Sequence, residues 1–401
     1  MRYANTTKRI QGDSVDAWDL HYRAQADLQN GRDVILLSVG DPDFATPALI
    51  CDAAIEALRA GDTHYTELHG RDALRDAIAE GHRVRSGQAV SRDNIIVMAG
   101  AQNALFSVAQ CLFEPGDEVL VLQPAYLTYE ACIQITGATM VPVALDAERG
   151  FRLDAETLRN AITPNTRAIV YATPNNPTGA VMTARELEEI AAVAIEHDLW
   201  VLADEVYCDI CFDAPHRSIA ALPGMTERTV TVNSLSKSHA MTGWRIGWAI
   251  APPELIAHLY NLSLCMLYGL PGFIQEAGIH ALTQASGEAA RMRDLYRARR
   301  DLLVRTVAGI EQLDCVVPEA AMYLMVDVRG TGMPAGEFAN ALYDATGVSV
   351  LDATAFGASA AGFVRISYTL SEAQLSDACD RITAFMASIP SGEHSERENC
   401  A

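Results

Sequence analysis

The sequence predicts an α/β protein built around a mostly parallel sheet, on three observations. Short apolar runs of strand length alternate with amphipathic helical patterns between about residues 34 and 250. Most of the runs are apolar nearly throughout, 229–232 with its alternating threonines excepted, as expected of strands covered on both faces. Their carboxyl ends lead into polar turns rich in glycine, proline and asparagine, and in doubly wound sheets those ends gather the functional groups.

In chain order the strand-like runs are 34–39, 94–99, 118–122, 140–145, 168–172, 200–203, 229–232 and 246–250. Helical patterns separate many of them, including 102–113 and 184–196. Thr183 opens the latter with Glu186 three residues on, a capping-box pattern. Helical stretches 253–267, 271–283 and an arginine-rich 288–309 follow. From about residue 314, short strands (323–328, 349–351, 363–366) mix with two helices, the pattern of a smaller α+β unit. The expected division is an N-terminal arm with part of the small domain over 1–48, a large α/β domain over 49–285, a small α+β domain over 286–390 and a disordered tail over 391–401.

Composition narrows the function classes. The 401 residues carry 30 basic and 51 acidic side chains, a formal net charge of −21. Such a surface repels phosphate backbones and argues against nucleic-acid binding. No apolar run reaches bilayer-spanning length and the N-terminus lacks a hydrophobic signal core, so a soluble cytoplasmic protein is expected. Nine cysteines are too sparse for a disulfide scaffold. No second pair or histidine follows the CxxC pair Cys208 and Cys211 at useful spacing, so no metal site is expected there.

Of the 30 basic residues only two are lysines, Lys8 and Lys237, which leaves 28 arginines. Arginine stays protonated, whereas lysine can lose its proton and form a Schiff base. A chain that avoids lysine this thoroughly points to Lys237, just after the 229–232 run, as the residue to explain.

Other candidates sit at strand ends. Gly100-Ala101-Gln102 follows 94–99 and opens a helix, so backbone N–H groups can face an anion there. Thr173-Pro174-Asn175-Asn176-Pro177 follows 168–172, and its prolines hold the asparagine in one direction. Asp204 ends the 200–203 run, where a buried carboxylate needs an arginine or a protonated ligand nitrogen beside it. Ser234, Ser236, Lys237 and Arg245 put two hydroxyls, an amine and a guanidinium within twelve positions. Arg245 is a natural phosphate partner. One ligand uses an anion cradle, a buried acid, an oriented amide and an imine-forming lysine together: pyridoxal 5′-phosphate.

On the segment 234–247, Ser-Leu-Ser-Lys-Ser-His-Ala-Met-Thr-Gly-Trp-Arg-Ile-Gly, the chain resembles the class-I aminotransferases of pyridoxal-phosphate fold type I. Supporting matches run through almost the whole chain: Gly40-Asp41-Pro42-Asp43-Phe44, Tyr65 with Gly70, Gly100-Ala101, Pro124-x-Tyr126, Asn176-Pro177-Thr178-Gly179, Asp204-x-x-Tyr207 and Arg365-Ile366-Ser367. The resemblance implies a large domain with a mostly parallel seven-stranded sheet plus a smaller α+β domain, and a homodimer whose subunits share the active site.

Carried over by motif, Lys237 forms the Schiff base with the cofactor and then moves the substrate α-proton. Asp204 pairs with the ring nitrogen, Asn176 and Tyr207 bind the 3-oxygen, and Tyr126 stacks on the ring. Ser234, Arg245 and the amides of Gly100, Ala101 and Gln102 hold the phosphate, joined by Tyr65 from the partner subunit. Arg365 clamps the substrate α-carboxylate with Asn176 and the Gly40 backbone. Trp18-Asp19-x-His21-Tyr22-Arg23-Ala24 and Leu264-Cys265-Met266-Leu267-Tyr268-Gly269 are similar to members of this class that take arginine as amino donor and pyruvate as acceptor. The alternatives are a broader aspartate-, aromatic- or alanine-type aminotransferase, a cofactor-dependent C–S lyase, or a non-catalytic sensor. The last needs a basic DNA-binding module ahead of Gly40.

Three further signals are set aside. Gly330-Thr331-Gly332-Met333 mimics a dinucleotide fingerprint but lacks a second βαβ turn. His239, two residues from Lys237, reads as a packing residue. The arginine-dense stretch 291–305 reads as the solvated face of a long helix.

Overall fold

Seven of the eight apolar runs between residues 34 and 250 join one sheet. The computed structural model describes residues 1–10, 18–213 and 215–389, so the tail expected over 391–401 lies outside the described residues. The strands, in chain order, are β1 (Ile35–Leu36), β2 (Ile95–Met98), β3 (Glu118–Gln123), β4 (Thr139–Ala144), β5 (Thr166–Ala172), β6 (Trp200–Asp204), β7 (Thr229–Ser234) and β8 (Gly247–Ile250). The sheet has the order β2-β8-β7-β6-β5-β3-β4. β8 is antiparallel to both neighbours, and the other contacts are parallel.

Period-two geometry explains why the central runs are apolar on both faces. In β3, Val119 and Val121 join one apolar cluster with Leu105, Val108 and Leu255, while Leu120 and Leu122 join another with Leu187 and Ile190. Helices therefore cover both sides, and each fully buried Leu or Val contributes roughly 1.5–3 kcal/mol. The helix Ala184–Glu196 begins as its capping box requires: Thr183 Oγ1 accepts from Glu186 N at 3.2 Å, and Glu186 Oε2 accepts from Thr183 N at 2.8 Å.

The later strands are β9 (Asp314–Val316), β10 (Tyr323–Asp327), β11 (Val348–Ser349), β12 (Leu351–Asp352) and β13 (Phe363–Ser367). They form an antiparallel sheet, β12-β13-β10-β9, and a parallel pair in which β1 meets β11. The single strand expected at 349–351 is thus two. The chain changes sheets at Val350, which is buried in the core shared by both. Pro334 stands immediately before the helix Ala335–Thr346, and Gly332 adopts φ +74°, which leaves the Gly330–Met333 segment a turn.

The arginine-dense stretch is not a purely solvated face. It lies in the helix Ser286–Ala308, where Arg299 and Arg300 are buried. Arg299 grips Asp43 with both terminal nitrogens at 2.7 and 2.8 Å and lies 5.0 Å over the Phe44 ring; Arg300 pairs with Asp213 at 3.0 Å. Burial is offset by fork-to-carboxylate pairing across segments distant in sequence, which helix periodicity alone does not reveal.

Candidate active site

The parallel strands deliver their carboxyl ends to one edge of the large sheet, and β8, running the other way, starts there. Gly247 pairs with Met98 on one side and Ser234 on the other. A side chain at Gly247 would meet Ala101 N at 2.6 Å and Asn233 O at 2.9 Å, so only glycine lets β8 pass this close to the turn after β2. Above this edge is a cavity of about 390 Å³, walled on its far side by Arg365 and Tyr323 of the second sheet.

Lys237 lines the cavity from the turn after β7. It is half-buried, and its Nζ donates to Gly40 O at 2.8 Å. Asp204, at the end of β6, is buried, and its partners are neutral. Tyr129 Oη donates to Oδ2 at 2.7 Å and Val206 N to Oδ1 at 3.3 Å. No arginine or lysine pairs with it among the described residues. Burial raises its carboxyl to about 6, while the bonds from Tyr129 and Val206 pull the other way. Among the described residues this carboxylate has no cation beside it, so a cation entering the cavity would complete its pairing.

The helix Ala101–Leu112 points its N-terminus at the same space. Ala101 and Gln102 line the cavity; Gly100 caps the helix at φ +82° beneath Arg245. Arg245 is itself left-handed at φ 54°, and its guanidinium folds back to Thr242 O at 2.8 Å and Ala99 O at 3.4 Å. Ser234 also lines the cavity, so hydroxyl, guanidinium and helix N-terminus converge as an anion cradle.

Asn176 and Arg365 meet directly, Nη1 donating to Asn176 Oδ1 at 3.1 Å. Arg365 is buried, with Nη2 bonded to Ser38 O and its guanidinium 4.6 Å over the Tyr323 ring and 4.9 Å over Phe356. Nε has no partner, and no carboxylate pairs with this arginine among the described residues. Tyr207 and Tyr323 share a hydroxyl–hydroxyl bond of 3.0 Å, and burial, then Tyr323, pushes the Tyr207 phenol well up. Tyr126 lines the cavity with its ring open to it.

Of the residues singled out in the sequence, Gly40, Ala101, Gln102, Tyr126 and Asn176 line one cavity together with Asp204, Tyr207, Ser234, Lys237, Arg245 and Arg365. Tyr65 does not: it is 85% exposed, with its ring edge on Tyr268 at 4.8 Å. Four lining aromatics, Trp18, Tyr129, Tyr323 and Phe356, escaped assignment. Their sequence signal is that of any core aromatic; only Trp18 stood in a motif.

The family of known proteins decides what this cavity belongs to. The family model described as aminotransferase class I and II matches residues 32–382. The chain belongs to this family. The aminotransferase is 51% identical over 389 residues to arginine–pyruvate transaminase AruH of Pseudomonas aeruginosa, covering 97% of this chain and 99% of that one. It is 38% identical over 378 residues to the aspartate/prephenate aminotransferase of Thermus thermophilus, covering 93% and 95%. Among solved structures, the Thermus thermophilus aspartate aminotransferase with maleate superimposes with a TM-score of 0.91 at 35% identity, covering 96% of this chain and all of that one. The aspartate aminotransferase of Rhizobium meliloti gives 0.91 at 35% identity, with 97% and 100% covered.

Two set-aside signals find plain roles in the aminotransferase. Cys208 is buried and accepts from Asn233 Nδ2 at 3.1 Å, and no metal-binding group of three or more ligands exists among the described residues. His239 is buried, with Nδ1 2.8 Å from Ser238 Oγ.

Proposed function

We propose that the cavity holds pyridoxal 5′-phosphate bound to Lys237 and transfers the amino group of an L-amino acid, foremost arginine, to a 2-oxo acid, foremost pyruvate, in a ping-pong cycle. The observation that carries this reading is Asp204: a buried carboxylate without a cationic partner, in the same cavity as Lys237. Pyridoxal phosphate brings the matching set of a protonatable ring nitrogen, an aldehyde and a phosphate. When bound, it supplies an electron sink for the bond broken at the substrate Cα.

The chain's residues divide the remaining work. Ser234, Arg245 and the Gly100–Gln102 turn would take the phosphate. Asp204 would keep the ring nitrogen protonated, Tyr207 and Asn176 would face the 3-oxygen, and Tyr126 would cover the ring face. Arg365 offers free donors to the α-carboxylate beside Asn176 and Gly40. A two-point hold of this kind directs the Cα–H bond at Lys237 Nζ, which takes the proton and returns it.

The donor preference rests on charge. The cavity is lined by three cations, Lys237, Arg245 and Arg365, each already allotted, so no fourth awaits a side-chain carboxylate among the described residues. Apart from Asp204, the lining acid is Asp41, which is exposed, and Trp18 lines the same cavity. An acid and an indole face suit a guanidinium, by ion pairing and stacking. A flat aromatic donor also suits Trp18, and Asp41 separates the two. Asp41→Asn is expected to lower kcat/KM for arginine about fivefold while leaving phenylalanine within about twofold, since an exposed charge pair is worth at most about 1 kcal/mol.

The direct test is a donor panel scored by loss of the enzyme-bound cofactor's absorbance, with pyruvate then restoring it. Arginine should be the fastest donor. Equal rates for arginine, aspartate and phenylalanine would overturn the narrow specificity, and ammonia release without amino-acid product would favour a lyase.

Assembly and location complete the proposal. Tyr65, Tyr268, Leu264 and Met266 are exposed on neighbouring segments, a surface that suits a homodimer in which Tyr65 reaches the phosphate of the other protomer. The described cysteines are all free, as in a reducing cytoplasm, and no helix among the described residues is long and apolar enough to cross a membrane. The division at residues 48, 285 and 390 is kept as the proposed domain plan.

A further inference from the structure

The motif Trp18-Asp19-x-His21 places an unassigned histidine next to the carboxylate clamp. His21 lies in the helix Asp19–Gln29 and is buried at 5% exposure. Its Nδ1 is 2.8 Å from Ser38 Oγ, and that hydroxyl also accepts from Ser349 Oγ at 3.1 Å. The carbonyl of the same Ser38 accepts from Arg365 Nη2, whose other terminal nitrogen holds Asn176.

With Ser349 donating to Ser38, the Ser38 hydroxyl is left to donate in turn, and neutral His21 accepts at Nδ1. Burial, reinforced by the Arg365 charge, lowers the His21 pKa and keeps the ring neutral. Trp18, which lines the cavity, packs its ring edge-to-face on His21 at 5.6 Å. One helical turn therefore touches the cavity wall and, through Ser38, the guanidinium.

We propose that His21 is a positioning residue for the carboxylate clamp: by fixing the Ser38 peptide it sets the direction in which Arg365 presents its free donors. This inference rests on the reading of Arg365 as the α-carboxylate partner. Arg365 has no carboxylate to anchor it among the described residues, so its aim depends on two neutral acceptors, Ser38 O and Asn176 Oδ1. Ser38 follows Leu37, whose N–H and C=O are tied to Ser349 O and Ser367 N, and its own carbonyl is taken by Arg365 rather than by a neighbouring strand.

The test uses the cofactor-loaded enzyme and two probes, 3-phenylpropanoate and its carboxylate-free counterpart 3-phenylpropanol, with binding followed by calorimetry. His21→Leu is expected to weaken the carboxylate about tenfold and leave the alcohol unchanged. KM for pyruvate should rise by a similar factor, with kcat within about twofold. His21→Asn, whose amide reaches the place of Nδ1, should restore most of the loss, and Ser38→Ala should reproduce it with minimal change in packing.

Unchanged carboxylate affinity in both His21→Leu and Ser38→Ala would overturn the proposal, as would equal loss of both probes, the pattern of a packing residue. Failure of the parent reading looks different: the wild-type enzyme itself would transfer no amino group, and Arg365→Leu would leave 3-phenylpropanoate binding intact.

Discussion

Lys237→Ala is expected to lower kcat/KM by at least about a thousandfold with every donor, because in the proposed roles one substitution removes both the covalent anchor and the proton-transferring amine. General acid–base catalysis alone contributes typically 10²–10⁴-fold, and loss of the covalent tether adds to that. The fold should survive, since Lys237 is half-buried and its recorded hydrogen bond is a single one, to Gly40 O. The check is steady-state transamination alongside thermal unfolding. Residual activity within about tenfold of wild type, in a variant that melts normally, would take Lys237 out of its assigned role.

Asp204→Asn should show opposite effects on activity and stability. Losing the buried charge proposed to face the ring nitrogen is expected to cost on the order of 10²–10³ in kcat, the range for removing one preorganised electrostatic contact. The cofactor-free protein should respond the other way. In the folded chain the Asp204 carboxyl is raised to about 6, from 3.8. A raised acid favours the fold only while protonated, so that contribution is present below about pH 4 and is lost as pH rises through about 6. At pH 8 the buried charge costs on the order of 3 kcal/mol, from a shift of about two units. Asparagine accepts the Tyr129 hydroxyl without that cost. Apo Asp204→Asn should therefore melt above apo wild type at pH 8, and the two should converge near pH 4. A variant that melts lower at pH 8 and turns over normally would contradict both halves.

The two predictions draw on features that differ in how openly the sequence displays them. Six of the seven runs have both faces buried and are largely apolar, which announces the large sheet, whereas the edge strand β4 is partly exposed and β7 carries buried threonines. The chemical groups are also legible, since each ends a strand or opens a helix: Gly100 before Ala101, Asp204 at the end of β6, Ser234 at the end of β7. Lys237 stands out because the chain uses lysine only twice.

What stays hidden is contact between segments far apart in sequence. Tyr129 is three residues after Tyr126 and reads as a helix-core aromatic, yet its hydroxyl holds Asp204. Tyr323 opens an apolar strand, and nothing local shows that it meets Tyr207 and Arg365. Arg299 and Arg300 look solvated until Asp43 and Asp213 are brought to them. The split between β11 and β12 at Val350 is hidden for the same reason, because each half takes its partner from a different part of the chain.

Reduction with borohydride tests the central claim most directly, because it fixes an imine to the nitrogen that formed it. The chain offers two lysines, with Lys8 exposed in the short helix Thr6–Arg9 and Lys237 in the cavity. After loading with pyridoxal 5′-phosphate, reduction and peptide mapping, one pyridoxyl group per chain should be found on the peptide containing Lys237. A protein that takes up no cofactor, or carries the label on Lys8 or the terminal amine instead, would contradict the account.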